Sequence, residues 1–88
     1  MSKLIASTFI DKGAIWLYLD DQLIANGSQS IDIELPDEEE FILHWLVKAP
    51  KGTTYSVSIS SPKEAQYQLT KAIGNRKKEF GGYNFTVV

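Results

Sequence analysis

The 88-residue chain has no cysteine, one histidine and one methionine. These scarcities limit the covalent cross-links and metal sites that the chain can form. Without thiols there can be no disulfide and no cysteine-ligated metal. A site built from several imidazoles is excluded as well, because His44 is the single histidine. We therefore expect an ordinary packed core to hold the fold, which fits a reducing compartment and slightly favours the cytoplasm.

The sequence also lacks a strong charge of either sign and any long hydrophobic run. Nine basic residues stand against eleven acidic ones, so we expect no binding to nucleic acid, which usually needs a basic stripe. No segment approaches the roughly 20 apolar residues of a membrane span. Residues 1–7 lack the continuous apolar stretch of a secretion signal. The 43% hydrophobic and 23% charged fractions are those of a globular protein, and the length predicts one domain over residues 1–88.

What the sequence does contain is alternation of apolar and polar residues. Tyr55, Val57 and Ile59 alternate with serines, the period-two pattern of a strand with one buried face. Similar patterns, separated by turn signals such as Asn26-Gly27, predict strands at 4–10, 14–19, 22–25, 30–35, 41–48, 53–60, 65–73 and 83–87. For 65–73 a short helix is the alternative. Residues 74–79 are predicted to form a polar loop, and Gly81-Gly82 a flexible joint.

Seven or eight short strands with regular turns predict an all-β fold, an antiparallel β-sandwich, with a small β-barrel as the alternative. Segment 41–48 favours the sandwich because it is apolar on both faces. Its two faces read Phe41, Leu43, Trp45, Val47 and Ile42, His44, Leu46. Such a strand is usually central and covered on both sides. The outline resembles immunoglobulin-like and fibronectin type III domains, which also carry a tryptophan in an early central strand. This resemblance lacks their paired cysteines and implies an architecture, not an activity.

The sequence offers no combination of residues typical of catalysis or of a bound cofactor. His44 is interpreted as a partly buried structural histidine, because catalysis would need a nucleophile and an orienting acid beside it. No serine is flanked by the glycines of a nucleophile elbow. We therefore expect a protein that is not an enzyme and that has no catalytic residue and no cofactor.

Charged clusters are similarly weak signals for a bound ion. Carboxylates at Asp20-Asp21 and at 37–40 could meet at one end of a sandwich and bind calcium, but their spacing is not that of an EF-hand loop. We interpret them as solvated turns and expect no metal site. The basic cluster Arg76-Lys77-Lys78 has no interleaved aromatic residue and no glycine-rich loop beside it, so phosphate binding is not favoured.

Trp16 and Tyr18 are the most suggestive residues for binding. They alternate with Ile15, Leu17 and Leu19, so both faces of their strand are apolar. Core packing is the favoured interpretation, since aromatic residues dominate small cores. If the two side chains are exposed instead, they could anchor a protein partner or stack on sugar rings. The function we predict is a non-catalytic protein-interaction module, with a carbohydrate- or small-ligand-binding β-sandwich as the alternative and Trp16 and Tyr18 as candidate binding residues.

Overall fold

The computed structural model describes residues 2–87 and consists of strands joined by short connections. In chain order the strands are β1 (Ser2–Ile10), β2 (Ala14–Leu19), β3 (Gln22–Asn26), β4 (Gln29–Leu35), β5 (Glu40–Lys48), β6 (Thr54–Ser61), β7 (Tyr67–Ala72) and β8 (Lys78–Thr86). A single 3-10 turn, Lys63–Ala65, precedes β7. None of the described segments forms a helix long and apolar enough to cross a membrane.

The eight strands form two four-stranded antiparallel sheets packed together, as the sequence predicts for a sandwich. The first sheet has the order β4-β1-β6-β7, and the second has the order β3-β2-β5-β8. Two separate sheets with open edges exclude the alternative of a closed barrel. Of the connections, β2–β3 and β6–β7 are hairpins within one sheet, and the others cross between the sheets.

The core lies between the sheets and is filled by alternate residues of the central strands. Leu4 of β1, Ile15 and Leu17 of β2, Leu43 and Val47 of β5 and Val57 of β6 are wholly buried. These are the positions that period-two alternation assigns to one face of each strand. Branched aliphatic residues suit this environment because they pack well on a pleated surface.

The last two strands differ in their bounds from the sequence prediction. The segment 65–73 is a strand, as the favoured interpretation predicts, but β7 spans only Tyr67–Ala72 because Ala65 ends the 3-10 turn. β8 starts at Lys78 and runs through Gly81-Gly82, where we predicted a loop and a joint. The glycines belong to the strand for a steric reason. A Cβ on Gly81 would come within 2.8 Å of the Trp45 ring, and one on Gly82 within 2.7 Å of the Leu43 carbonyl oxygen.

β5 is central in its sheet, as predicted, but only one of its faces is covered. Trp45 is 4% exposed and belongs to the core, whereas Ile42 and Leu46 on the other face are 53% and 41% exposed. The expectation of cover on both faces was therefore wrong. The apolar residues of a strand do not reveal whether a second layer exists, because that depends on how many elements the rest of the chain supplies.

Candidate functional site

The outer face of the second sheet carries a continuous apolar surface. The cross-strand register places Leu46 between Trp16 and Phe80, and Tyr18 between Leu23 and His44, with Ile42 in the next row. We call this surface the aromatic face and define it as Trp16, Tyr18, Leu23, Ile42, His44, Leu46 and Phe80. Among the described residues it holds four of the seven large hydrophobic side chains that are exposed, and Phe80 is 84% exposed. Clustered apolar residues of this kind usually mark a binding surface.

The centre of the aromatic face is held rigid by Tyr18 and His44. Their rings are stacked, with centroids 5.1 Å apart and planes inclined by 8°. The Nε2 atom of His44 lies 2.7 Å from the carbonyl oxygen of Asp20. Because a carbonyl oxygen only accepts hydrogen bonds, Nε2 carries a proton and donates it. Gly82 lies opposite His44 in β8 and leaves a gap without a side chain. The result is a flat, preorganised platform.

The outer face of the first sheet is polar by comparison, although it belongs to the same sandwich. One cross-strand row there reads Ser30, Ser7, Ser58, Gln68. Its exposed hydrophobic residues include Ile5 and Phe9, which are separated along β1 by Ser7. The fold itself therefore does not require an apolar outer surface. The aromatic face is a property of the second sheet alone and needs its own explanation.

The two candidate binding residues lie in the middle of this surface. Trp16 and Tyr18 are half-buried by their neighbours on the sheet, and neither belongs to the core cluster. The favoured interpretation, core packing, was therefore wrong, because both side chains point away from the first sheet. His44 is half-buried as predicted, and its structural contacts are the ring stack and the bond to Asp20.

Sequence reasoning missed the exposed members of the aromatic face. Ile42 and Leu46 were visible as the second apolar side of segment 41–48, and that pattern is the signal that could have identified them. Phe80 was assigned no strand, because the flanking lysines and glycines suggested a loop. Leu23 lies on this face because a bulge shifts the register of β2 and β3 between Leu17 and Tyr18. The sequence pattern does not predict this bulge.

Opposite charges gather at the two ends of the aromatic face. In the outer row at one end, β5 and β8 place Lys48 beside Lys78, next to Ala14 of β2. At the other end, Glu40 begins β5 and accepts a hydrogen bond from Asn84 at 3.3 Å. Asp20 lies there too, and its carboxylate accepts the Ile42 amide at 2.9 Å.

The connections between strands extend this charge separation to the whole molecule, which is about 40 Å long and 20 Å wide. Connections at the Lys48 end contain Lys12, Lys51, Arg76 and Lys77, with Asp11 as the acidic exception. Connections at the Glu40 end contain Asp20, Asp21, Asp37, Glu38 and Glu39, with Lys63 as the basic exception. The nearly neutral chain is therefore strongly dipolar along its strands.

Two depressions flank the Lys48 end of the aromatic face. The larger, of about 420 Å³, is mainly apolar and lies between Ala14, Ala49 and Pro50, with the stems of Lys48 and Lys77 beside it. The smaller, of about 250 Å³, is lined by Lys71, Arg76, Lys78, Glu79 and Phe80. Lys71 is engaged there by Glu79 at 3.1 Å.

The acidic loops come to the same end of the sandwich, as the calcium hypothesis requires, but their carboxylates do not converge. Among the side chains that the structure describes, no group of three or more histidines, aspartates or glutamates is close enough to hold a metal ion. Calcium needs six to eight oxygen ligands around one point. The arrangement therefore gives the calcium hypothesis no support.

Comparison with known proteins identifies no relative. No family model matches the chain, and no curated protein or solved structure matches it either.

Proposed function

We propose that this protein is a non-catalytic interaction module that binds another protein through its aromatic face. The observation that carries the proposal is the clustering of exposed Leu23, Ile42, Leu46 and Phe80 around a rigid Tyr18–His44 platform. Burying such a surface removes apolar area from water, which is the main driving force of protein association. Trp and Tyr add contact area with few rotatable bonds, a property common in interface hot spots.

A protein partner accounts for this surface better than a sugar does. Carbohydrate sites combine an exposed ring with several polar groups that bond to hydroxyls. On the aromatic face the Nε2 of His44 is already bonded to Asp20, and the side-chain amide of Asn84 donates to Glu40. The aliphatic residues Leu23, Ile42 and Leu46 offer a sugar ring nothing to stack on, but they suit an apolar protein surface.

The finer fold relationship we propose is to immunoglobulin-like domains. β1 and β4 pair in one sheet, as the second and fifth strands of those domains do. β2 and β5 pair in the other sheet, as their third and sixth strands do. β8 extends the second sheet beside β5 as their last strand does. The departure is β6, which follows β5 in the chain yet lies beside β1, where an immunoglobulin domain places its first strand.

The test compares binding by variants of the two outer faces. Phe80→Ser with Ile42→Thr should abolish binding to candidate protein partners in a two-hybrid or array screen, because it removes exposed apolar area from the aromatic face. Phe9→Ser with Ile5→Thr changes similarly exposed residues on the first sheet and serves as the matched control. Both double variants should melt close to the wild type, since all four side chains are at least 41% exposed.

Trp16→Ala and Tyr18→Ala complete the test, together with a glycan array as a separate arm. Loss of protein binding with little loss of stability supports the proposal. Equal binding by the aromatic-face variant and the control would refute it. Binding to glycans that depends on Trp16 and Tyr18, with no protein bound, would replace it with the carbohydrate alternative.

A further inference from the structure

We propose that the partner of the aromatic face is a second copy of this chain, bound face to face with its strands antiparallel to those of the first. This inference rests on the proposed function, because it uses the same surface, and it adds the identity and orientation of the partner. It is carried by the charges at the two ends of the face, by the symmetry of β5 about His44 and by the area available.

Charge complementarity favours self-association in one orientation. A two-fold axis that crosses the strands in the plane of the interface turns the second copy end for end. Lys48 of each copy then lies over Glu40 of the other, and the basic end of each molecule meets the acidic end of its neighbour. An axis parallel to the strands would stack Lys48 on Lys48 and Glu40 on Glu40. Like charges brought together in this way oppose association.

The positions of the residues fit a two-fold axis at His44. Along the outer side of β5 the order is Glu40, Ile42, His44, Leu46 and Lys48, so His44 is the midpoint. Rotation about it superposes Ile42 on Leu46 and acid on base. In β8 the midpoint is Gly82, which pairs with His44. Gly82 of one copy then lies over Gly82 of the other, so no side chain keeps the two β8 strands apart at the axis, and Phe80 of each copy lies over Asn84 of the other.

The area is sufficient for a reversible dimer. The strands β5, β8, β2 and β3 have nine, nine, six and five residues, which at about 3.3 Å per residue and about 4.8 Å between strands gives a face of about 460 Å² per copy. The pair would bury about 900 Å², the size of weak and transient interfaces. We therefore expect a dissociation constant in the micromolar range and an exchange between monomer and dimer.

Pairing between edge strands is less favourable for a dimer, because the edge strands carry features that oppose the addition of another strand. β3 has five residues and follows a bulge, and β4 carries Asp32 and Glu34. β8 points Glu79 inward, and β7 carries Lys71, the ion-pair partner of that carboxylate. Short, bulged and charged edges of this kind discourage strand addition. The aromatic face has no such features.

The experiment is sedimentation velocity over a concentration series of the full chain at low ionic strength. Wild type should shift from monomer to dimer as concentration rises through the micromolar range. Lys48→Glu and Glu40→Lys should each weaken the dimer by about tenfold, because each turns two attractive pairs into repulsive ones. The double variant K48E/E40K should recover wild-type affinity, since the pairs are restored with their signs exchanged. Phe80→Ser should weaken the dimer, and the control Phe9→Ser should not.

The outcomes separate this inference from the proposed function. Recovery in the double charge variant establishes the antiparallel arrangement. A protein that stays monomeric up to the highest soluble concentration, or a dimer that Phe80→Ser leaves unchanged, overturns the inference. In either case the proposed function still stands if the screen shows a different protein bound through the aromatic face, and it falls only if that screen also fails. A dimer weakened by Phe80→Ser but unaffected by either charge reversal overturns the proposed orientation.

Discussion

At the scale of single residues, Trp45 connects the core with the aromatic residues at the edge formed by β7 and β8. Its ring lies 5.8 Å from that of Tyr67 and 6.5 Å from that of Tyr83, centroid to centroid. Gly81 gives the indole room, because any Cβ there would collide with it. Tyr83 in turn donates a hydrogen bond to the Ala65 carbonyl at 2.7 Å. Desolvation by burial, with the charge of Tyr67 as a second cause, raises the pKa of Tyr83 to about 12, so this phenol remains a donor at all physiological pH values.

We predict that Trp45→Ala lowers the free energy of unfolding by about 3–5 kcal/mol, as truncation of a buried aromatic residue does. That is a large part of the stability of a small domain. Urea denaturation followed by circular dichroism measures the effect. Phe80→Ala is the control, because an 84% exposed ring should contribute less than about 0.5 kcal/mol. Equal midpoints for Trp45→Ala and wild type would contradict the role of Trp45 as a core anchor.

At the scale of elements, Glu79 of β8 makes a polar contact between the two sheets at the edge formed by β7 and β8. Its carboxylate accepts the Tyr55 hydroxyl at 3.0 Å from β6, pairs with Lys71 of β7 at 3.1 Å and accepts the Gly74 amide at 3.3 Å. Desolvation by burial opposes ionisation of Glu79, but the hydrogen bonds from Lys71, Tyr55 and Gly74 outweigh it and lower its pKa. Burial, and then the bond to Glu79, raises the pKa of Tyr55 to about 12.

We predict that Glu79→Gln lowers the melting temperature at neutral pH by a few degrees, corresponding to about 1 kcal/mol for partly exposed charged hydrogen bonds. The folded pKa of Glu79 lies below its usual value of 4.5. Its ionised form therefore stabilises the fold above about pH 4.5, and that contribution disappears as pH falls through the folded pKa.

Thermal melts across this pH range check the prediction, with Glu38→Gln in the β4–β5 connection as the matched control. The difference between wild type and Glu79→Gln should be largest near neutrality and shrink in acid. A difference that stays constant down to pH 3 would show that the charge of Glu79 is not what stabilises the edge.

At the scale of the whole molecule, the main feature is the separation of charge along the strands. The acidic loops gather at one end, and their described carboxylates do not form a group that could hold a metal ion. The net charge of −2 does not reveal this dipole. A dipole of this kind orients two molecules as they approach each other. In the proposed dimer, the acidic end of each copy faces the basic end of the other.

We predict that the protein is indifferent to divalent cations. Millimolar calcium and excess EDTA should each leave the melting temperature unchanged, because a bound ion would stabilise the native state by mass action. Differential scanning calorimetry measures this, with magnesium at the same concentration to control for ionic strength. A rise of several degrees with calcium alone would show that the loops around Asp20 and Glu40 form a site after all.

Local patterns in the sequence determined the strands and the class of the fold. Seven strands were predicted to within about two residues at each end, because period-two alternation is imposed by the pleat of each strand and does not depend on its neighbours. The burial of Trp45 followed from the same pattern. Where the pattern was broken, as by Gly81-Gly82 in β8, prediction failed, because the reason for those glycines is the indole of a strand distant in the chain.

Only the tertiary structure decided which apolar face is core and which is surface. β2 and β5 are apolar on both sides, and alternation is symmetrical, so the sequence could not say which side the other sheet covers. The register of four strands brought Trp16 and Tyr18 together with Leu46 and Phe80, and the order of the connections placed acidic loops at one end and basic loops at the other. Both arrangements depend on residues far apart in the chain, which local preferences do not encode.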